Sequence, residues 1–433
     1  MTDSKAPKGN IDSMEAIYAL NIGDFLAEDF ISDDLLSKIS DRLASNPEKL
    51  CRQLEEIIQI YSVDKTLGIL GFELDESFII YDSIASTLAK MFEVDACHLF
   101  QASHSDSGET YLGLTGTSQD IPSQDRWKIG LELKASHPLT EACLDDELLS
   151  VPDVAKLDGW ASIPNLEHQE VQAFIAAPMT QAGQARGLIL FESYQKRAFT
   201  PELIELAAST AQVFLTSLGL QQLVGRAQYE VNQFESAKQA GLDGELSNLA
   251  AKLKSLRAEI TENIADLGQH QQTFVEHLGA AVDARNQYTK GHSAHVARCA
   301  QQIAKAMALN EKTIDLVYYA GLLGSIGKME TPQQILNKRA KLEQEDWDAL
   351  RNHPNVGVSL LVQINFLSEV VPYVNYQMER WDGSGSPNGL TGRNIPLGSR
   401  ILAVADAYQA MTAQRPYRDE PMPHTKAIEV LQG

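Results

Sequence analysis

Cysteine is scarce in this chain of 433 residues: there are four, Cys51, Cys97, Cys143 and Cys299, and no C-x-x-C pair among them. That spacing excludes a cysteine-based zinc site and a disulfide framework, and leaves packed free thiols. Long apolar runs are missing as well. No stretch reaches the roughly 18 apolar residues that a membrane span requires, and the opening MTDSKAPKGNIDSMEA has no apolar core like that of a secretory signal. The expectation is a cytoplasmic protein with no membrane contact. Positive charge is also in deficit, the net charge being -22. Residues 276–433 carry 16 Lys/Arg and 16 Asp/Glu, so the whole acidic excess, 20 basic against 42 acidic groups, lies in residues 1–275. A field of that sign repels nucleic acid, and no nucleic-acid partner is expected.

What is present is ordinary for globular protein: 44% apolar and 22% charged residues. The length implies two or three domains. Residues 1–75 read as a polar helical extension, with Leu35, Leu36, Ile39 and Leu43, then Leu54, Ile57 and Ile58, at helical spacing.

From 76 to 222 helices and strands alternate. Ile80–Phe92 is helical in period, and DACHLF, FIAAPM and GLILFES read as strands, the last two joined by the turn-like Gln181–Gln184. A long helix is predicted from Pro201, with proline in its first turn. These segments, closed by FTPELIELAASTAQVF, resemble a GAF domain. The resemblance implies a sensor fold and names no ligand. Cys143, in LTEACLDD without an adjacent histidine, reads as a structural thiol rather than a bilin attachment point.

Residues 223–278 change character. Leu242, Leu246, Leu249, Leu253, Leu256, Ile260, Ile264, Leu267, Phe274 and Leu278 recur at steps of three, four or seven. That pattern predicts a coiled-coil signalling helix joining two subunits of a homodimer. The alternative is one amphipathic helix lying on its own domain.

In residues 279–433 the segments YTKGHSAHV, LLGSIGK, RNHPNVGVSLL, ERWDGSGSPNGLTGRNIPLGSRILAVADAY and RPYR occur in the order of an HD-GYP domain, which this region resembles. That family comprises cyclic di-GMP phosphodiesterases, whose histidines and carboxylates hold metal ions that activate a water. The resemblance places Gly324 and Ser325 where the His-Asp pair belongs, and Gln377 and Met378 where two further histidines belong. Gln409 replaces a second acid in the VAD segment, and Gly385–Pro387 lacks the family tyrosine. His292, His353 and Asp406 match metal positions that survive. Lys328, Arg415 and Arg418 match the cationic groups that face the phosphates, and guanidinium groups bind phosphate without metal.

The fold class expected is therefore multidomain α+β: a GAF-like α/β sensor, a helical coiled-coil linker and an all-α HD-type domain. No catalytic residues are expected, given the losses at Gly324, Ser325, Gln377 and Met378. Nor is a cofactor expected, beyond at most one residual iron or manganese ion on His292, His353 and Asp406. The function implied is signalling, with a cyclic dinucleotide such as cyclic di-GMP bound at Lys328, Arg415 and Arg418, or a protein partner docked. A weakly active metal-dependent phosphodiesterase and a pure protein-interaction scaffold are the alternatives left open.

Overall fold

The structure, a computed structural model, describes residues 47–61, 77–105, 108–119, 132–158, 160, 171–285, 289–336, 338, 343–344, 346, 353–362, 364–414 and 420–432. The first half contains helices α1 (Pro47–Tyr61), α2 (Ser77–Phe92) and α3 (Pro138–Leu144). Its strands are β1 (Ala96–His104), β2 (Thr110–Thr117), β3 (Glu132–Leu133), β4 (Leu149–Val151), β5 (Ala173–Gln181) and β6 (Gln184–Ser193). They form one antiparallel sheet in the order β3-β2-β1-β6-β5-β4. Both faces are covered, which is why β5 and β6 read as continuous apolar runs rather than alternating ones.

One face, through Cys97, Leu99, Ile175, Ala177, Ile189 and Phe191, meets α2 and the long helix α4 (Pro201–Gln239). The other, through Phe100, Phe174, Leu188 and Leu190, is filled by Leu139 and Cys143 of α3. Cys143 donates from Sγ to the Gly187 carbonyl at 2.9 Å, and burial pushes its thiol up to about 11. A protonated, enclosed thiol is a packing group, not a nucleophile. Also buried on this face, His98 is 3.0 Å from Glu192 through Nε2 and 2.9 Å from Thr117 through Nδ1.

Helix α4 starts where Thr200 accepts from the Leu203 N–H and Pro201 takes the first turn. It is long and apolar enough to cross a membrane by length and composition, which single apolar runs in the sequence did not indicate. Its apolar side chains, including Leu206, Ala211, Leu220, Val224 and Val231, are instead buried against the sheet and helix α5 (Asp243–Ala284).

The linker departs from the expected coiled coil. After α4 the chain reverses at Gly241 (φ 70°), and α5 runs back along α4 in an antiparallel hairpin. The pairings Lys252–Glu230, Arg226–Glu259, Thr216–His270 and His277–Glu205 mark its register. Leu253, Leu256, Ile260, Leu267, Phe274 and Leu278 are all buried within this one chain. The seam thus meets α4 of the same chain. The apolar period was correct, but period alone does not name the partner of a seam. Helix α1 lays Leu50, Cys51, Leu54 and Ile58 on the hairpin. The other apolar positions read in residues 1–46, Leu35, Leu36, Ile39 and Leu43, lie outside the described residues.

The second half is helical: α6 (His292–Ala306), α7 (Glu311–Leu323), α8 (Gln333–Leu336), α9 (His353–Leu361), α10 (Val371–Asn375), α11 (Leu397–Thr412) and α12 (His424–Gln432). A 3-10 turn at Ile326–Glu330 follows α7. The apolar core continues from the hairpin into this half through Phe274, Leu278, Val282, Val296, Val317 and Leu323.

Candidate functional site

The turn after α7, the start of α6 and the middle of α11 converge beside the end of α5. His292 opens α6 and is buried. Its Nδ1 lies 2.6 Å from Gln409 Oε1 and its Nε2 lies 3.2 Å from Asp406 Oδ1, both one turn apart on α11. Two of the three surviving metal positions expected from the family resemblance, His292 and Asp406, are therefore in direct contact. Gln409, standing where an acid was expected, takes the other ring nitrogen. In this arrangement each imidazole nitrogen already faces a protein oxygen.

Three of the four substituted positions are also engaged. Gln377 donates from Nε2 to the Gly324 carbonyl at 2.8 Å, which satisfies an end-of-helix oxygen of α7. A Cβ at 324 would lie 2.7 Å from Gln377 Oε1 and 3.3 Å from the Ala320 carbonyl, so the Gln377 amide occupies space that glycine leaves open. Ser325, buried, accepts from Lys328 Nζ at 2.9 Å. Met378 is the exception, 46% exposed. Ser325 Oγ is bonded to the Lys328 ammonium, and His292 faces the Gln409 amide and the Asp406 carboxylate. Among the described residues no three of His, Cys, Asp and Glu are arranged to hold a metal. The His353 side chain, Arg415 and Arg418 lie outside the described residues, although the backbone of 353 begins α9.

Asp283 is a member of this cluster that the sequence reading missed. An acid in the last turn of a helix opposes the helix dipole, so its place near the end of α5 calls for a partner. It finds one at the N-terminus of α6, where its carboxylate accepts from Ser293 N–H and Oγ–H, both at 2.8 Å. Burial raises its pKa; the Ser293 hydrogen bonds and the neighbouring His292 and Lys328 oppose the rise. Because the folded value stands above the unfolded one, this group's contribution is fully present below the unfolded pKa and is lost as pH climbs through the folded one. Asp283→Asn keeps an acceptor for the Ser293 N–H and removes the titration. Its melting temperature is expected to gain on the parent's as pH rises from 4 to 7, a difference read by paired thermal denaturation series.

The loop 379–392 keeps its shape through another buried acid. Glu379 accepts from Asn388 N–H at 2.7 Å and Leu390 N–H at 3.0 Å, and Asp382 accepts from Ser384 N–H and Oγ–H.

Residues 277–433 match the HD domain family model and residues 79–218 the GAF domain model. The 3'3'-cGAMP-specific phosphodiesterase 1 of Vibrio cholerae is 41% identical over 141 residues, 33% of this chain and 33% of that protein. A cyclic di-GMP phosphodiesterase of Thermotoga maritima is 32% identical over 193 residues, 43% of this chain and 52% of that protein. The chain thus spans between about a third and about half of the length of such curated relatives. The solved GAF domain of a Coxiella burnetii phosphoenolpyruvate-protein phosphotransferase is 18% identical at a TM-score of 0.31, covering 42% of this chain and 98% of its own.

Proposed function

We propose that this chain, a GAF domain followed by an HD domain, is a signalling protein whose HD domain binds a cyclic dinucleotide without hydrolysing it. The observation that carries this reading is the cross-bonding of the substituted positions: Gln377 on Gly324, Lys328 on Ser325, and both nitrogens of His292 on Gln409 and Asp406. Hydrolysis in this family depends on a metal-activated water. Recognition of a phosphodiester needs only cations, and the sequence offers Lys328, Arg415 and Arg418 for that role without metal. The named relatives act on cyclic di-GMP and 3'3'-cGAMP, which makes these two the ligands to test.

A second reading, an active phosphodiesterase, is favoured by 41% identity to an enzyme and by the His292–Asp406 contact. Both are decided on the purified chain, by calorimetric titration with each dinucleotide and by chromatography after incubation with iron or manganese under reducing conditions. Binding without linear product is the expected result. Linear product that disappears in His353→Ala would establish the enzyme instead, and neither binding nor product would leave a protein scaffold.

A further inference from the structure

We infer that Arg285 is a positioning residue through which the GAF domain holds the Lys328-bearing turn of the HD domain. The inference rests on the proposed role of that turn in facing phosphate, and it concerns how the same site is set. Arg285 follows α5 directly, where the hairpin hands over to the HD domain. One guanidinium nitrogen donates to the Thr331 carbonyl at 2.9 Å, while another forms an ion pair with Glu93. Thr331 closes the 3-10 turn Ile326–Glu330, and its N–H in turn donates to the Lys328 carbonyl. Ser325 and Lys328, bonded to each other, sit at the start and middle of that same turn.

The other end of the bridge is equally fixed. Glu93 joins α2 to β1 and holds a left-handed backbone, φ 50°. An L-residue other than Asn or Asp rarely adopts that conformation, and where it persists the surroundings enforce it. Here Arg197, resting on Phe199 at 4.8 Å, donates to the Glu93 carbonyl at 3.0 Å, and the backbone N–H of Asp95, just before β1, donates to the Glu192 carbonyl at 2.9 Å. The carboxylate is thereby aimed from the sheet at the HD domain. Two further contacts, Lys290–Glu202 at 3.5 Å and His277 Nδ1 to the Glu205 carbonyl oxygen at 3.1 Å, tie the first turn of α4 to the same junction. A shift of the α2–β1 turn therefore reaches the 3-10 turn through one side chain. Arginine suits this place because its guanidinium carries several donors and reaches both Thr331 and Glu93 at once.

The test is hydrogen–deuterium exchange of the ligand-free full chain, so its outcome does not depend on whether a dinucleotide binds. Glu93→Ala, a change in the GAF domain, is expected to speed exchange of the amides of residues 326–331 by about 2-fold to about 30-fold. Arg285→Ala is expected to do the same, the double variant no more than either single one, and Arg285→Lys to behave like the alanine variant. Unchanged exchange at 326–331 in Glu93→Ala, or full additivity in the double variant, would overturn the inference. Should Arg285→Ala fail to fold, Glu93→Ala beside Glu93→Gln decides it, since Glu93→Gln removes the carboxylate's charge at nearly constant shape and should speed exchange at 326–331 as Glu93→Ala does.

Discussion

Gly324→His, introduced with Ser325→Asp, is expected to bring no metal into the protein and to lower its stability. Histidine at 324 drives its Cβ to within 2.7 Å of Gln377 Oε1. The glutamine amide can swing away, but doing so abandons its 2.8 Å hydrogen bond to the Gly324 carbonyl and leaves both groups without that partner. An unmade hydrogen bond of a fully buried group costs about 1–3 kcal/mol, and these two half-buried groups stand at the lower end of that range. Helical φ and ψ at 324 add no backbone penalty, so the cost is one of packing. Adding Gln377→His and Met378→His removes the obstructing amide and supplies imidazole nitrogens. That fourfold variant is expected to recover stability relative to the twofold one and to take up iron or manganese, measured by elemental analysis of purified protein. Gln409→Asp should raise the uptake further, because it returns a carboxylate beside His292. Metal uptake by the twofold variant alone would mean that Gln377 does not close the site, and the binding-only reading would lose its main support.

Strands β1, β5 and β6 were legible as short apolar runs bounded by turn formers, and α4 because Thr200-Pro201 is a strong helix start, whereas β3 and β4, two and three residues long, carry no such run. The substituted positions were legible because the motifs around them are intact. What the sequence hid was the way those positions satisfy one another. His292 and Gln409 are 117 residues apart, and Gln377 and Gly324 are 53 apart; nothing local couples them. Asp283 carries a local signal, an acid near a helix C-terminus, but belongs to no family motif. The hairpin also had one. Gly241 N–H donates to the Lys238 carbonyl and Leu242 N–H to the Ala237 carbonyl, the paired bonds of a glycine-terminated helix. The leucine seam starts at Leu242, just beyond the residue that reverses the chain.

That reversal carries the second large effect. Ile260→Asp is expected to destabilise the chain by about 4 kcal/mol or more, because it combines the loss of a large buried side chain with an unpaired charge in an apolar environment. Ile260 is fully buried, within the same core as Val224, Ala227 and Leu256. The outward pairs Arg226–Glu259 and Lys252–Glu230 are largely solvated and offset little of that loss. Because the seam closes against α4 of its own chain, the melting temperatures of parent and variant should both be independent of protein concentration over a hundredfold dilution. A coiled coil between subunits behaves differently: its melting temperature falls on dilution, and a seam mutation frees a monomer whose GAF and HD cores still melt cooperatively. Thermal denaturation at two concentrations, with sedimentation to fix the mass, separates these outcomes. A concentration-dependent transition lost in Ile260→Asp would return the seam to a dimer interface. A concentration-independent loss of the whole fold would make the hairpin the structural spine that joins the sheet to the helical half.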